Sequence, residues 1–293
     1  MSAASVIGRF APSPTGDLHF GSLLAAVGSN LAAVSAGGQW LIRIDDLDPP
    51  REVAGSAQRI LRDLKTMGLE SSAPVFYQSS RTAAYEAAVN QLLKSGHAYY
   101  CGCTRKDLPA SGIYPGTCRN GIAKGKNARS IRFRIEPQTI SFRDKVRGVV
   151  EETMSRDSGD FIIKRADGLH AYHLAAVVDD HFQGVTQVVR GADLLDSTSK
   201  QICLQRALGF APFEYMHLPL VMGKNGQKLS KRDGSDPIGS RQPGRCIELA
   251  LQVLGQRPPT GMPLKELWGW ALNHWDEQRV PQTTTIFDFK GLN

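Results

Sequence analysis

A chain of 293 residues is long enough for one elaborate domain or two, with ample material for a buried core. Its 41% apolar and 22% charged content is ordinary for a soluble globular protein, and no apolar run approaches the roughly 18 residues of a membrane span. The start, MSAASVIGRF, lacks a basic segment followed by an apolar one, so a cytoplasmic protein with no membrane partner is expected, while the formal charge of +7 favours a polyanionic partner without identifying it.

In chain order, Val6 to Ala11 reads as a short buried strand, Leu23 to Ala36 as a buried helix ended by Gly37-Gly38, and Trp40 to Ile44 as a second strand. Strand, helix and strand within forty residues form a βαβ unit, whose crossover makes the strands parallel. A helix from about Glu52 to Met67, a strand at Val75 to Tyr77 and a helix from Tyr85 to Lys94 continue the pattern. It breaks between Tyr100 and about Asp160, where Gly, Lys and Arg accumulate and Ile131 to Ile135 and Val146 to Val149 alternate like antiparallel strands. From Phe161 to Ile163 the parallel pattern is expected to resume, with a helix at Tyr172 to Val178, a strand at Val185 to Val189 and a helix at Leu195 to Leu208. Helices near Cys246 to Leu254 and Leu264 to Trp275 follow, with Trp268, Trp270 and Trp275 expected as packing residues. The expected organisation is α/β, with halves at 1–100 and 161–235, an insertion at 101–160 and a small C-terminal helical region at 236–293.

The insertion holds Cys101, Cys103 and Cys118, three thiols within eighteen residues, whereas Cys203 and Cys246 stand among apolar neighbours and read as core. Three thiolates and one further ligand would hold a tetrahedral structural Zn²⁺ and stiffen a segment with little core of its own. Spacing leaves the fourth ligand open among His97, Asp107 and Tyr114.

RFAPSPTGDLHFGS, Arg9 to Ser22, joins the first strand to the first helix. Neither a P-loop nor a G-x-G-x-x-G pattern follows that strand, so bound phosphates would rest on free N–H groups at the helix start, with Gly16 and Gly21 allowing close approach and His19 donating. His19 reads equally well as a helix-start residue without a ligand. Far along the chain, Lys228-Leu229-Ser230-Lys231-Arg232 suits neutralisation of a triphosphate as pyrophosphate leaves.

The pair resembles class I aminoacyl-tRNA synthetases: His19-Phe20-Gly21-Ser22 is similar to their HIGH element and Lys228 to Arg232 to their KMSKS element. RFAPSPTG with HFGS resembles the glutamyl branch, as do Arg43 to Asp48, Tyr172 to Ala175, Val178 to Asp180 and Arg190 to Leu194, over roughly residues 6 to 235. The resemblance implies a Rossmann-like parallel sheet and attack of a glutamate carboxylate on the α-phosphorus of ATP, assisted by Mg²⁺. It implies that Pro12, Gly16, His19, Gly21, Ser22 and Lys231 meet ATP, with His19, Lys231 and Lys228 as the catalytic groups. Arg9, Arg190 and Tyr172 would hold the glutamate side chain and Ser13 the α-carboxylate end; the alternative for the arginines is pairing with structural acids. Asp45 stands where most relatives carry Glu, one methylene longer, against the substrate ammonium.

Only about sixty residues follow Arg232, little with which to grip both ends of a tRNA. That feature and the three-Cys spacing resemble the glutamyl-queuosine tRNA(Asp) synthetases, in which a Tyr at the position of Tyr114 completes the metal set. The implied reaction is tRNA-independent activation of L-glutamate, then transfer to the cyclopentene-diol of queuosine at the wobble position of tRNA(Asp). Lys124, Lys126 and Arg129 would position the anticodon arm, or stand solvated on a loop. A truncated glutamyl-tRNA synthetase charging a terminal adenosine and a non-catalytic nucleic-acid-binding relative are the alternatives.

Overall fold

The computed structural model describes residues 5–222, 238 and 242–287; Lys228 and Lys231 lie outside them. Strands β1 (Ile7–Phe10) and β2 (Gln39–Ile44) are parallel, joined by helix α1 (Phe20–Val34). Two glycines make the return possible: Gly37 adopts φ +71°, and a Cβ on Gly38 would lie 2.1 Å from the Val6 carbonyl oxygen. Helix α2 (Ser56–Thr66) then leads to β3 (Phe76–Tyr77), parallel to β2. It begins four residues later than the sequence led us to expect, because Pro49–Arg51 forms a separate turn and Gly55 adopts φ +72°.

After α3 (Thr82–Lys94) the chain builds a separate antiparallel sheet from β4 (Ala98–Cys101), β5 (Ser130–Phe133) and β8 (Phe161–Lys164). The expectation that Phe161–Ile163 resumes the parallel sheet is thereby corrected: this strand pairs with β5. The expected antiparallel strand at Val146 to Val149 starts two residues later. A hairpin of β6 (Thr139–Asp144) and β7 (Gly148–Thr153) places its turn at 145–147, since Asp144 Oδ1 accepts the amides of Val146 and Arg147 at 2.9 Å each.

The short helix α4 (Met154–Asp157) precedes β8, and helix α5 (Tyr172–Phe182), strand β9 (Gln187–Gly191), helix α6 (Leu195–Leu208) and strand β10 (Glu214–Leu218) follow. The main sheet has the order β3-β2-β1-β9-β10-β6-β7, parallel except for β7. The hairpin from the expected insertion thus extends the main sheet. Strand β11 (Leu220–Met222) pairs in parallel with β12 (Thr285–Phe287), while helices α7 (Pro243–Val253) and α8 (Leu264–His274) lie where the sequence places them.

Two large apolar clusters form, beside a small third one in the second sheet. One joins Leu23, Leu24, Val27 and Leu31 of α1 to Trp40, Leu64, Ile247, Leu251 and Leu267; the other joins Tyr85, Leu92, Phe133, Leu174, Val178, Ile202 and Leu204. Trp268 is a packing residue, its Nε1 donating to the Met67 carbonyl at 2.8 Å. Among the described residues no helix is long and apolar enough to cross a membrane.

Candidate active site and thiol centre

Strand order reverses direction between β1 and β9, the position at which open α/β sheets bind ligands beyond their carboxyl ends. A cavity of about 940 Å³ opens there, lined by the chain leaving β1, the start of α1, the end of β9 and the segment after β10. It brings together Arg9, Pro12, Ser13, His19, Gly21, Ser22, Tyr172 and Arg190. Asp193 and the rim residue Arg51 also line it; sequence reasoning assigned neither, although Asp193 stands only three residues beyond Arg190.

Gly16 and Asp45 are not among the lining residues. The Gly16 amide donates to Ser56 Oγ at 3.1 Å and its carbonyl accepts from the same hydroxyl at 2.6 Å, which ties the loop to the start of α2. The Asp45 amide donates to the Pro12 carbonyl at 2.9 Å, so the residue backs the loop, while its carboxylate accepts from Arg43 Nε at 2.7 Å. Its pKa is raised to about 6: burial is the largest cause, Arg43 opposes it and Asp180 adds to it.

His19 is the N-cap of α1, with Nδ1 accepting the Ser22 amide at 3.3 Å and Nε2 lying 2.9 Å from Ser22 Oγ. It is therefore both a helix-start residue and a cavity residue, beside the positive end of the helix dipole.

The two arginines differ. Arg9 gives Nε and one terminal nitrogen to the Asp180 carboxylate at 3.1 and 3.3 Å, and Asp180 also accepts from Arg43 at 2.5 Å. Although burial alone would raise it, Asp180 is held below the usual carboxylate range by the two guanidinium groups. Arg190, only 5% exposed, instead donates to the Tyr172 hydroxyl (3.3 Å), Gln201 Oε1 (2.8 Å), Thr198 Oγ1 (2.8 Å) and His217 Nε2 (3.1 Å). Among the described residues no carboxylate forms an ion pair with it. Thr198, Gln201 and His217 carry no motif signal, being a polar helix face and one histidine in an apolar strand.

In the second sheet, Cys101, Cys103 and Cys118 place their Sγ atoms within 4.8 Å of one another, a grouping that could hold one metal ion. The Tyr114 oxygen lies 3.4 Å from Cys101 Sγ and 3.4 Å from Cys103 Sγ. Asp107, the alternative, is occupied by the Thr104 amide and Lys126 at 2.7 and 3.2 Å, and His97 bonds Ser95 at 2.8 Å. Burial would raise the Cys101 thiol, yet hydrogen bonds from Tyr114, the Cys103 amide and Arg132 bring it down to about 7, which favours the thiolate a metal requires. Arg132 also lies 3.8 Å over the Tyr114 ring. The three thiols could thus hold a metal ion such as zinc, with burial raising Cys103 and Tyr114 in its absence. Cys203 and Cys246 are buried in α6 and α7, as expected.

Comparison with known proteins agrees with this geometry. Residues 5–111 and 113–241 match the family of class I tRNA synthetases (E and Q), catalytic domain. A glutamyl-Q tRNA(Asp) synthetase of Pseudomonas aeruginosa is 48% identical over 287 residues, 97% of this chain and 98% of its own. One of Chromobacterium violaceum is 48% identical over 289 residues, 96% of this chain and 97% of its own. The crystal structure of a glutamate-tRNA synthetase from Elizabethkingia anophelis superposes with a TM-score of 0.81 at 26% identity, covering 98% of this chain and 69% of that one.

Proposed function

Since the chain belongs to the class I tRNA synthetases of the E and Q branch, and within it to the glutamyl-Q tRNA(Asp) synthetase family, we propose that it activates L-glutamate with ATP without tRNA and then transfers the glutamyl group to the cyclopentene-diol of queuosine at the wobble position of tRNA(Asp). The observation that carries the substrate assignment is Arg190. A buried guanidinium surrounded by neutral acceptors keeps its full charge at the cavity wall, and a carboxylate is the ligand that repays its desolvation.

Arg190 and Tyr172 receive the side-chain carboxylate. The Tyr172 oxygen accepts from Arg190, which leaves its own proton to donate. Arg9, with Nε and one terminal nitrogen turned to Asp180, adds its remaining donors, and Ser13 meets the α-carboxylate end. The amino-acid carboxylate oxygen then bonds the α-phosphorus, the bond to the β-phosphate bridging oxygen breaks and pyrophosphate departs. Pro12, Gly21, Ser22 and His19 line the side of the cavity where the helix dipole favours phosphate. Gly16 and Asp45 hold the loop from behind. Mg²⁺ bound with ATP supplies further positive charge. Lys228 and Lys231, by their motif, neutralise the leaving pyrophosphate. In the second step a queuosine hydroxyl attacks the mixed-anhydride carbonyl, AMP leaves, and its phosphate takes the hydroxyl proton.

A structural Zn²⁺ held by Cys101, Cys103, Cys118 and Tyr114 would cross-link the segment beside β4. The cytoplasm, where tRNA resides, is the proposed compartment.

Glutamate-dependent exchange of pyrophosphate into ATP, run without tRNA, tests the first step. Exchange is expected, with Arg190→Lys raising KM for glutamate roughly tenfold or more because a planar guanidinium held by four acceptors becomes a flexible point charge. No exchange, or exchange indifferent to Arg190, would refute the assignment.

A further inference from the structure

An arginine nitrogen can only donate, so the 3.1 Å contact from Arg190 Nε requires a lone pair on His217 Nε2. The ring proton then sits on Nδ1, 2.7 Å from Asp144 Oδ2. Asp144 and His217 are both fully buried side chains. The second Asp144 oxygen accepts the amides of Val146 and Arg147 at 2.9 Å each and that of His217 at 3.3 Å. Burial would raise this acid, but the hydrogen bond from His217 and those from the Val146 and Arg147 amides hold it below the usual range. Burial and the Arg190 charge outweigh Asp144 at the imidazole and keep it neutral. Thr198 Oγ1 closes the arrangement, 3.2 Å from His217 Nε2 and 2.8 Å from the Arg190 terminal nitrogen.

We infer that Asp144 and His217 are positioning residues for glutamate: Asp144 fixes the His217 tautomer, and His217 orients the Arg190 guanidinium without neutralising it. A carboxylate placed directly on Arg190 would cancel the charge, as Asp180 does at Arg9; an imidazole interposed between acid and guanidinium gives direction alone. Asp144 ends β6 and pairs with Tyr215 of β10, so the hairpin at the edge of the main sheet reaches the residues around Arg190. The inference rests on the reading that Arg190 meets the substrate carboxylate.

The test is pyrophosphate exchange with His217→Phe, which removes the acceptor, and His217→Gln, which offers an amide oxygen in its place. His217→Phe is expected to raise KM for glutamate roughly tenfold to a hundredfold, with KM for ATP within about twofold, and His217→Gln to recover part of the loss. In an Arg190→Lys background the His217→Phe effect is expected to shrink to about twofold or less. A silent His217→Phe beside a damaging Arg190→Lys overturns the relay and leaves the reading of Arg190 standing; a silent Arg190→Lys overturns that reading itself. An undiminished effect in the Arg190→Lys background shows a merely structural role and also overturns the relay. Nitrogen-15 NMR of the unmodified protein decides independently of how the variants fold. A neutral His217 protonated on Nδ1, with its Nε2 signal moved by glutamate, is expected; an Nε2–H tautomer or an imidazolium at neutral pH overturns the relay.

Discussion

Arg9 and Arg190 sit on neighbouring strands yet differ in the property that decides what each can bind. Asp180 neutralises the first, whereas among the described residues only neutral groups accept hydrogen bonds from the second. The same charge economy governs Asp45, whose carboxyl is shifted up to about 6 chiefly by burial. Between about pH 3.9, where the unfolded chain loses this proton, and 6, the folded chain still holds it. The unfolded state then binds fewer protons, so Asp45 makes folding less favourable as pH rises through that window, by at most about 1.4 kcal/mol per pH unit. Asp45→Asn removes this dependence. The urea stability of the variant relative to the parent is expected to rise from pH 4 to pH 6; a difference independent of pH would contradict the assignment. Arg9, Arg190, Tyr172 and His19 were legible because each stands inside a motif of ordered residue types. His217 and Asp144 were not: a single histidine in a buried strand and an aspartate at a turn acquire meaning only when β6 comes to lie beside β10.

At the scale of elements, strands β1, β2 and β9 and helices α1, α7 and α8 follow from their apolar runs and spacing, whereas α6 also buries Thr198, Ser199, Gln201 and Gln205. Partners were less legible. Val146 to Val149 alternates like a strand, but the Asp144 side chain captures the amides of Val146 and Arg147 and turns the chain there, so the strand begins only at Gly148. Likewise Phe161–Ile163 has the composition of a parallel core strand, and its pairing with β5 is decided by long-range contacts. The thiol sheet carries its own small cluster of Tyr99, Cys101, Tyr114 and Cys118, too little to hold the loops without a cross-link. Metal analysis is expected to find about one zinc per chain. Cys118→Ser should lose the metal and increase proteolysis between residues 102 and 129, whereas Cys203→Ser and Cys246→Ser retain it. A metal-free parent protein, or unchanged zinc in Cys118→Ser, would contradict the assignment.

The whole molecule joins an activation cleft at the strand-order reversal, a thiol-centred sheet and a hairpin that reaches from the intervening segment into the main sheet. The cleft accounts for adenylate formation, and the destination of the glutamyl group separates this reading from charging of a terminal adenosine. Radiolabelled glutamate, ATP and tRNA(Asp) with and without queuosine, followed by nuclease digestion, locate the label. The account predicts label on the queuosine nucleoside alone and none on tRNA that lacks it. Label on the terminal ribose, or equal labelling of both tRNAs, would contradict it.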